Sequence, residues 1–341
     1  MPRARIASLL VTLLVSAVAC SPDSMTRGNP ASEENYAARD GGCTAVALES
    51  ADSTRLTGEL CVPVGNGPFP AIVDLHPRVC MGPAGIPPAW EQTVLPSWGY
   101  SVLIMDNFAA RGLAARACDE LNSLTSHQVI ADAYGGLQFL ANDSRIDRKR
   151  IALLAFLGSI GTAAIFADTT EARETFPLKE GASFRAFFAF YPYCNFDFTG
   201  SPPQLYAPVR IFVGDKDDLE PANRCVQLAA TLRAKGADLQ VSTYTGAESG
   251  FDLIPPDANH PSTDRTALHP GGVTISTHPQ YSPWSPNFAA CTIRLKSIFD
   301  IVAPADVAAC VRRGAHFQGN AEAADKARTD FKEQLAVLMN E

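Results

Sequence analysis

The stretch Ile151–Ala164, IALLAFLGSIGTAA, passes from an apolar run through a tight Gly-Ser-Ile-Gly into small residues. That is the pattern of a strand turning sharply into a helix packed close against a sheet. A serine at such a turn can act as a nucleophile when an imidazole takes its proton and a carboxylate fixes the imidazole's tautomer. Ser159 is the candidate nucleophile; the competing reading is a close-packed turn without chemistry. Asp217, in Gly214-Asp-Lys-Asp217-Asp218-Leu-Glu-Pro221, follows another apolar run and is the candidate orienting acid, against an ordinary turn-capping aspartate. The chain has six histidines. His76 follows an apolar run, His127 precedes a helical pattern, His316 lies in GAHFQGN, and His260, His269 and His278 share one Pro-rich stretch. One of the last three could fold back over a site, although solvated loop positions are the simpler reading. Arg111, in DNFAARG, could bind a carboxylate, but reads more simply as a structural hydrogen-bond donor.

The elements that must position these residues alternate along the chain. Short, mostly apolar runs at Ala71–Leu75, Ser101–Met105, Ile151–Phe156, Ala186–Phe190, Val209–Val213 and Leu239–Tyr244 read as strands covered on both faces, with Asp74 and Arg210 as polar interruptions. Val129–Asn142 and Pro221–Lys235 carry helical spacing. The pattern predicts an α/β fold with a doubly wound, mostly parallel sheet. Thr44–Leu48 and Leu56–Cys61 predict an N-terminal antiparallel hairpin at a sheet edge. At the other end, Ala324, Ala327, Phe331, Leu335 and Leu338 form one face of a closing helix over Ala321–Met339. In such a sheet ligands bind beyond the carboxyl ends of the strands, where the candidate residues fall.

The segments after these strands, taken together, resemble the dienelactone hydrolase family of α/β hydrolases over roughly Gly67–Asp252 plus the final helix from Gly314. HPRVCMG resembles the family's His-Gly-Cys-Gly-Gly loop, DNFAARG its Asp-Ser-Phe…Arg-Gly segment, and DAYGGL the helix before the elbow. GDKDDLEPA…C and YTGAESGFD resemble the segments that carry the family's triad acid and histidine. The resemblance implies an α/β-hydrolase fold with a long C-terminal insertion, and nucleophilic acyl transfer on a small-molecule ester or lactone without a cofactor. Asp217 would orient the base, with oxyanion donors from the loop of His76 and from the elbow at Ile160. Two positions depart from the family. Ser249 stands where the family carries its histidine, and serine cannot take a proton near neutral pH. At the elbow, ungapped alignment puts Leu157 on the nucleophile, whereas a two-residue shift puts Ser159 there. A catalytically inactive binding or structural protein of the same fold is therefore the alternative.

Composition narrows the partners. With 28 basic and 36 acidic residues, a formal charge of −8 and no basic cluster, the chain is not expected to bind nucleic acid. Arg3, Arg5 and the apolar run Ile6–Ala19 form an export-signal pattern ending in Ala17-Val18-Ala19-Cys20, which resembles a bacterial lipobox. The expected arrangement is a signal over 1–20, lipid on Cys20, a polar tether over 21–42, and one domain over 43–341 with an insertion at about 253–313. The protein would then be exported to the bacterial cell envelope or periplasm and held at a membrane by its lipid. Besides Cys20, eight cysteines remain, an even number suited to disulfides in an exported chain. Sequence neighbours suggest Cys43 with Cys61, Cys80 with Cys118, Cys194 with Cys225, and Cys291 with Cys310. No pair has CxxC spacing, so no metal site is expected.

Overall fold

The structure, a computed structural model, describes residues 42–75, 90–113, 124–178, 181–252, 280–287, 289–300, 310 and 312–340. These fall within one unit, Asp40–Glu341. Cys20, His76, Cys80, Cys118, His260, His269 and His278 lie outside the described residues.

Eight strands form the main sheet: β1 (Cys43–Glu49), β2 (Arg55–Cys61), β3 (Phe69–Leu75), β4 (Ser101–Asp106), β5 (Ile146–Leu157), β6 (Phe184–Pro192), β8 (Val209–Gly214) and β9 (Leu239–Tyr244). Their order is β1-β2-β4-β3-β5-β6-β8-β9. The β1–β2 and β2–β4 pairs are antiparallel and every later pair is parallel, so the hairpin is an edge added to a doubly wound core. Apolar residues along these strands alternate between two faces. Val73, Leu103, Met105, Leu153 and Ala155 pack on one side, and Ile72, Ile104, Leu154, Phe156 and Phe190 on the other.

A short helix, α1 (Leu95–Ser97), precedes β4, and the first face is covered by α2 (Ser126–Ala141), α3 (Gly158–Ile165) and α5 (Ala222–Arg233). The pattern predicted α2 from Val129, but it begins three residues earlier. Thr125 and Gln128 form a capping box, in which the threonine side chain accepts from the Gln128 N–H and the Gln128 side chain accepts from the Thr125 N–H. The second face is closed by α6 (Ala321–Asn340), whose Ala324, Ala327, Phe331, Leu335 and Leu338 are all buried as its periodicity predicts. Phe331 meets Phe188 edge to face at 4.9 Å between ring centres, and Phe190 stacks on Phe212 at 4.5 Å.

Two small sheets stand beside the main one: β10 (Gln280–Asn287) with β12 (Arg312–Phe317), antiparallel, and β7 (Phe196–Phe198) with β11 (Ile293–Leu295), parallel. Three of the expected disulfides are formed, Cys43–Cys61, Cys194–Cys225 and Cys291–Cys310. The expected Cys80–Cys118 pair lies outside the described residues.

Candidate functional site

Strand β5 ends and α3 begins without a loop between them, and the backbone turns at Leu157, with φ 66° and ψ 133°. A non-glycine residue at positive φ is strained, and at a strand-to-helix turn that strain marks the tip of a nucleophile elbow. The tip is therefore Leu157. This corrects the shifted frame: Ser159 is not at the tip but in the first turn of α3, where it is buried. The structure sets the frame through the neighbouring strand. Ala155 and Phe156 pair with Ala189 and Phe190 of β6, Gly158 bridges Pro192, and the Thr162 hydroxyl donates to both Gly158 O and Tyr193 O at 2.7 Å. Gly158 has φ 40°, and a Cβ there would lie 2.7 Å from the Tyr193 ring. Only glycine fits after the tip. Ile160, the expected oxyanion position, follows in the same turn and is buried.

Beyond β8, Asp217 is buried in the loop that leads to α5. Its Oδ1 accepts from the Leu219 N–H at 2.9 Å and the Glu220 N–H at 2.7 Å, and burial pushes its carboxyl up to about 7. Beyond β9, Ser249 is fully buried and donates from Oγ to Glu220 Oε2 at 2.8 Å. The Gly158 N–H is also directed at the Glu220 carboxyl, and Asp217 lies within hydrogen-bonding reach of it. Burial, followed by the charge of Asp217, pushes Glu220 well above the usual carboxylate range. The expected acid and the residue in the histidine's place are thus brought together, joined through Glu220 rather than through an imidazole.

The histidines among the described residues have other partners. His127 packs its ring against Phe176 and Phe299 at 5.0 and 5.2 Å. The half-exposed His316 Nδ1 lies 2.7 Å from Asp218 Oδ2, a hydrogen bond that raises its pKa. Arg111 is structural, as its simpler reading has it: its guanidinium donates to both oxygens of buried Asp132 at 2.8 and 2.9 Å.

Sequence reasoning missed most of a second group of buried acids. Glu91, on the helical turn Trp90–Val94, is pushed well above its usual range by burial and then by the charge of Asp74. Asp252 is pushed up to about 6 by burial, against the charge of Arg328. Tyr191, at φ 40° near the end of β6, is fully buried and is pushed well above its usual range by burial and then by the charge of Asp252, with a further contribution from Glu220. The one legible signal was Asp74 itself, a carboxylate in an otherwise apolar strand.

A separate cavity of about 300 Å³ lies between α4 (Thr170–Thr175) and the β7–β11 pair, lined by Glu171, Phe198, Gln204, Leu295 and Ser297 among others. It does not include the elbow. Among the described residues, no group of three or more His, Cys, Asp or Glu side chains is arranged to hold a metal ion.

A parallel sheet wound on both faces, an antiparallel hairpin at one edge and a strained strand-to-helix turn at its carboxyl end define an α/β-hydrolase fold. A sequence model of the dienelactone hydrolase family matches residues 95–267, just over half of the chain. The chain belongs to the dienelactone hydrolase family. No curated protein matches the sequence. Among solved structures, the chain is similar to a dienelactone hydrolase-like promiscuous phosphotriesterase from metagenomic libraries, at 15% identity and TM-score 0.51, covering 87% of this chain and 99% of that one. It is also similar to a thermophilic esterase of Thermogutta terrifontis, at 16% identity and TM-score 0.48, over 64% of this chain and 89% of that one.

Proposed function

We propose that this chain keeps the family's scaffold as a small-molecule binding or structural protein and does not carry the family's acyl-transfer chemistry. The observation behind this reading is Leu157 at the elbow tip. An alkyl side chain offers no lone pair to a carbonyl carbon. Ser249, in the histidine's place, is held by Glu220. The family's ligand class, a small ester or lactone, is the class to be screened. The expected result is no hydrolysis of p-nitrophenyl acetate or butyrate above the buffer rate. A purified wild type that turns over either ester, with turnover lost in Glu220→Gln or Ser249→Ala, would overturn the reading.

A second reading follows from the buried Ser159, two residues past the tip in the turn that carries Gly158 and Ile160. In it the chain hydrolyses an ester or lactone, with Ser159 attacking, Asp217 orienting and a histidine from outside the described residues as base. Ser159→Ala decides between them. A drop of about 10²-fold or more in turnover, with the thermal midpoint unchanged, supports the second reading.

We also propose that the protein is exported and lipid-anchored through Cys20. The three disulfides support an oxidising compartment. Cys20→Ser should move the protein from the membrane fraction to the soluble one, and a wild type already soluble after export would refute the anchor.

A further inference from the structure

Asp217 and Glu220 share the loop between β8 and α5, and both are buried. Each has one oxygen already engaged: Asp217 Oδ1 by two backbone N–H groups, Glu220 Oε2 by the Ser249 hydroxyl. The other two, Asp217 Oδ2 and Glu220 Oε1, meet no N–H or O–H donor among the described residues. The two carboxyls nonetheless lie within hydrogen-bonding reach of each other. Two buried carboxyls within reach of one another, each with an oxygen left without a donor, are satisfied only when one of them carries a proton.

We propose that Asp217 and Glu220 hold one proton between them, and that this shared proton latches the β8–α5 loop onto the elbow, so that its loss opens the site. The groups that face the pair offer hydrogen bonds or negative charge. The Gly158 N–H comes from the elbow, the Ser249 hydroxyl from the end of β9, the Tyr191 ring from the end of β6, and the Asp218 carboxylate from the same loop. Asp252 and Glu91 act on Tyr191 through their charge, and Glu248 is next to Ser249 in sequence. Two cations among the described residues are engaged elsewhere: Arg328 donates to Asp252 O at 2.8 Å, and His316 binds Asp218. Among the described residues a second negative charge at the pair would therefore lack a buried counter-charge, and desolvation makes that state costly. Glu220 is the pin of the latch, because one side chain reaches the elbow backbone, the β9 loop and Asp217 together.

The linkage has a definite sign. Both carboxyls are raised above the unfolded values of about 4, so their contribution to stability is complete below that pH and is lost as pH rises through the folded values. Reversible unfolding of the full chain, followed from pH 5 to 9, tests this without reference to turnover, and so stands or falls apart from the non-catalytic reading. One shared proton steepens the unfolding constant by up to about tenfold per pH unit. Glu220→Gln and Asp217→Asn should each remove that increment relative to wild type, because an amide supplies the missing hydrogen without titrating. Variants that keep the wild-type slope overturn the proposal. If neither variant folds, site-resolved amide exchange of the wild type decides. Amide exchange at Gly158 and Leu219, corrected for its intrinsic pH dependence, should be at least tenfold faster at pH 8.5 than at pH 6. A protonated-carboxyl infrared band should lose intensity over the same interval. Unchanged exchange, or no such band at pH 6, overturns it.

Discussion

Two buried charged regions of the same molecule are built in opposite ways. Beside β4, Arg111 places its guanidinium against Asp132, with a further contact to Asp52 at 3.4 Å and a bond to Asn107 O at 2.8 Å. Asn107 completes the set by donating to Asp132 Oδ2 at 2.7 Å. Burial still raises Asp132, but its charge has a full partner in Arg111. At the carboxyl ends of β8 and β9, Asp217, Glu220 and Ser249 are just as buried, and the partners among them are hydroxyls, backbone N–H groups and each other. A buried carboxylate with a cation holds two segments together; a buried carboxyl without one holds a proton.

This contrast is most easily broken at the paired end. Arg111→Met should destabilise the fold by about 3–5 kcal/mol in denaturant unfolding, because it strands Asp132 in the core. Replacing both partners, Arg111→Met with Asp132→Leu, should return most of that loss, and a double variant as unstable as the single would show that the ion pair itself is needed. A smaller, pH-dependent effect belongs to Glu91. Its folded carboxyl is held above the unfolded value, so wild-type stability falls as pH rises from about 4. Glu91→Gln should therefore leave the thermal midpoint unchanged at pH 4 and raise it at pH 8; equal midpoints at both values would place the carboxylate's charge in contact with water. The smallest effect sets the scale. Lys326 and Asp330 pair on the exposed side of α6 at 3.0 Å, and Lys326→Ala should cost only about 0.3–0.5 kcal/mol.

The architecture was legible because strands covered on both faces must be apolar throughout. Each predicted run falls within an observed strand, and Leu239–Tyr244 coincides with one. The closing helix was legible for a related reason, since one buried stripe requires Phe331, Leu335 and Leu338 at helical spacing. The elbow was not. Ala155-Phe-Leu157-Gly158 and Leu157-Gly158-Ser159-Ile160-Gly161 both offer small residues around a central position. What separates them is where the ladder to β6 stops and where φ turns positive, and neither is a property of residue type. Glu220 was missed because a glutamate before Pro221 looks like any polar loop residue. Its role depends on Gly158 and Ser249, which only the folded sheet brings to it. His316 was visible in the sequence as one of six histidines, but its partner Asp218 lies 98 positions away.

The bond between Cys43 and Cys61 joins the first rung of the β1–β2 ladder, since the two cysteines are opposite one another in register. β1 is an outer strand, and tension applied through the residues that precede it would ordinarily peel an outer strand away one rung at a time, starting from its pulled end. Here the rung nearest the pull is covalent, so unzipping cannot start. Tension passes across to β2 and then into its pairing with β4, where Cys61 faces Val102. A tether attached ahead of residue 42 would therefore tug on the sheet as a whole, and the hairpin would yield only after the sulfur–sulfur bond had been reduced.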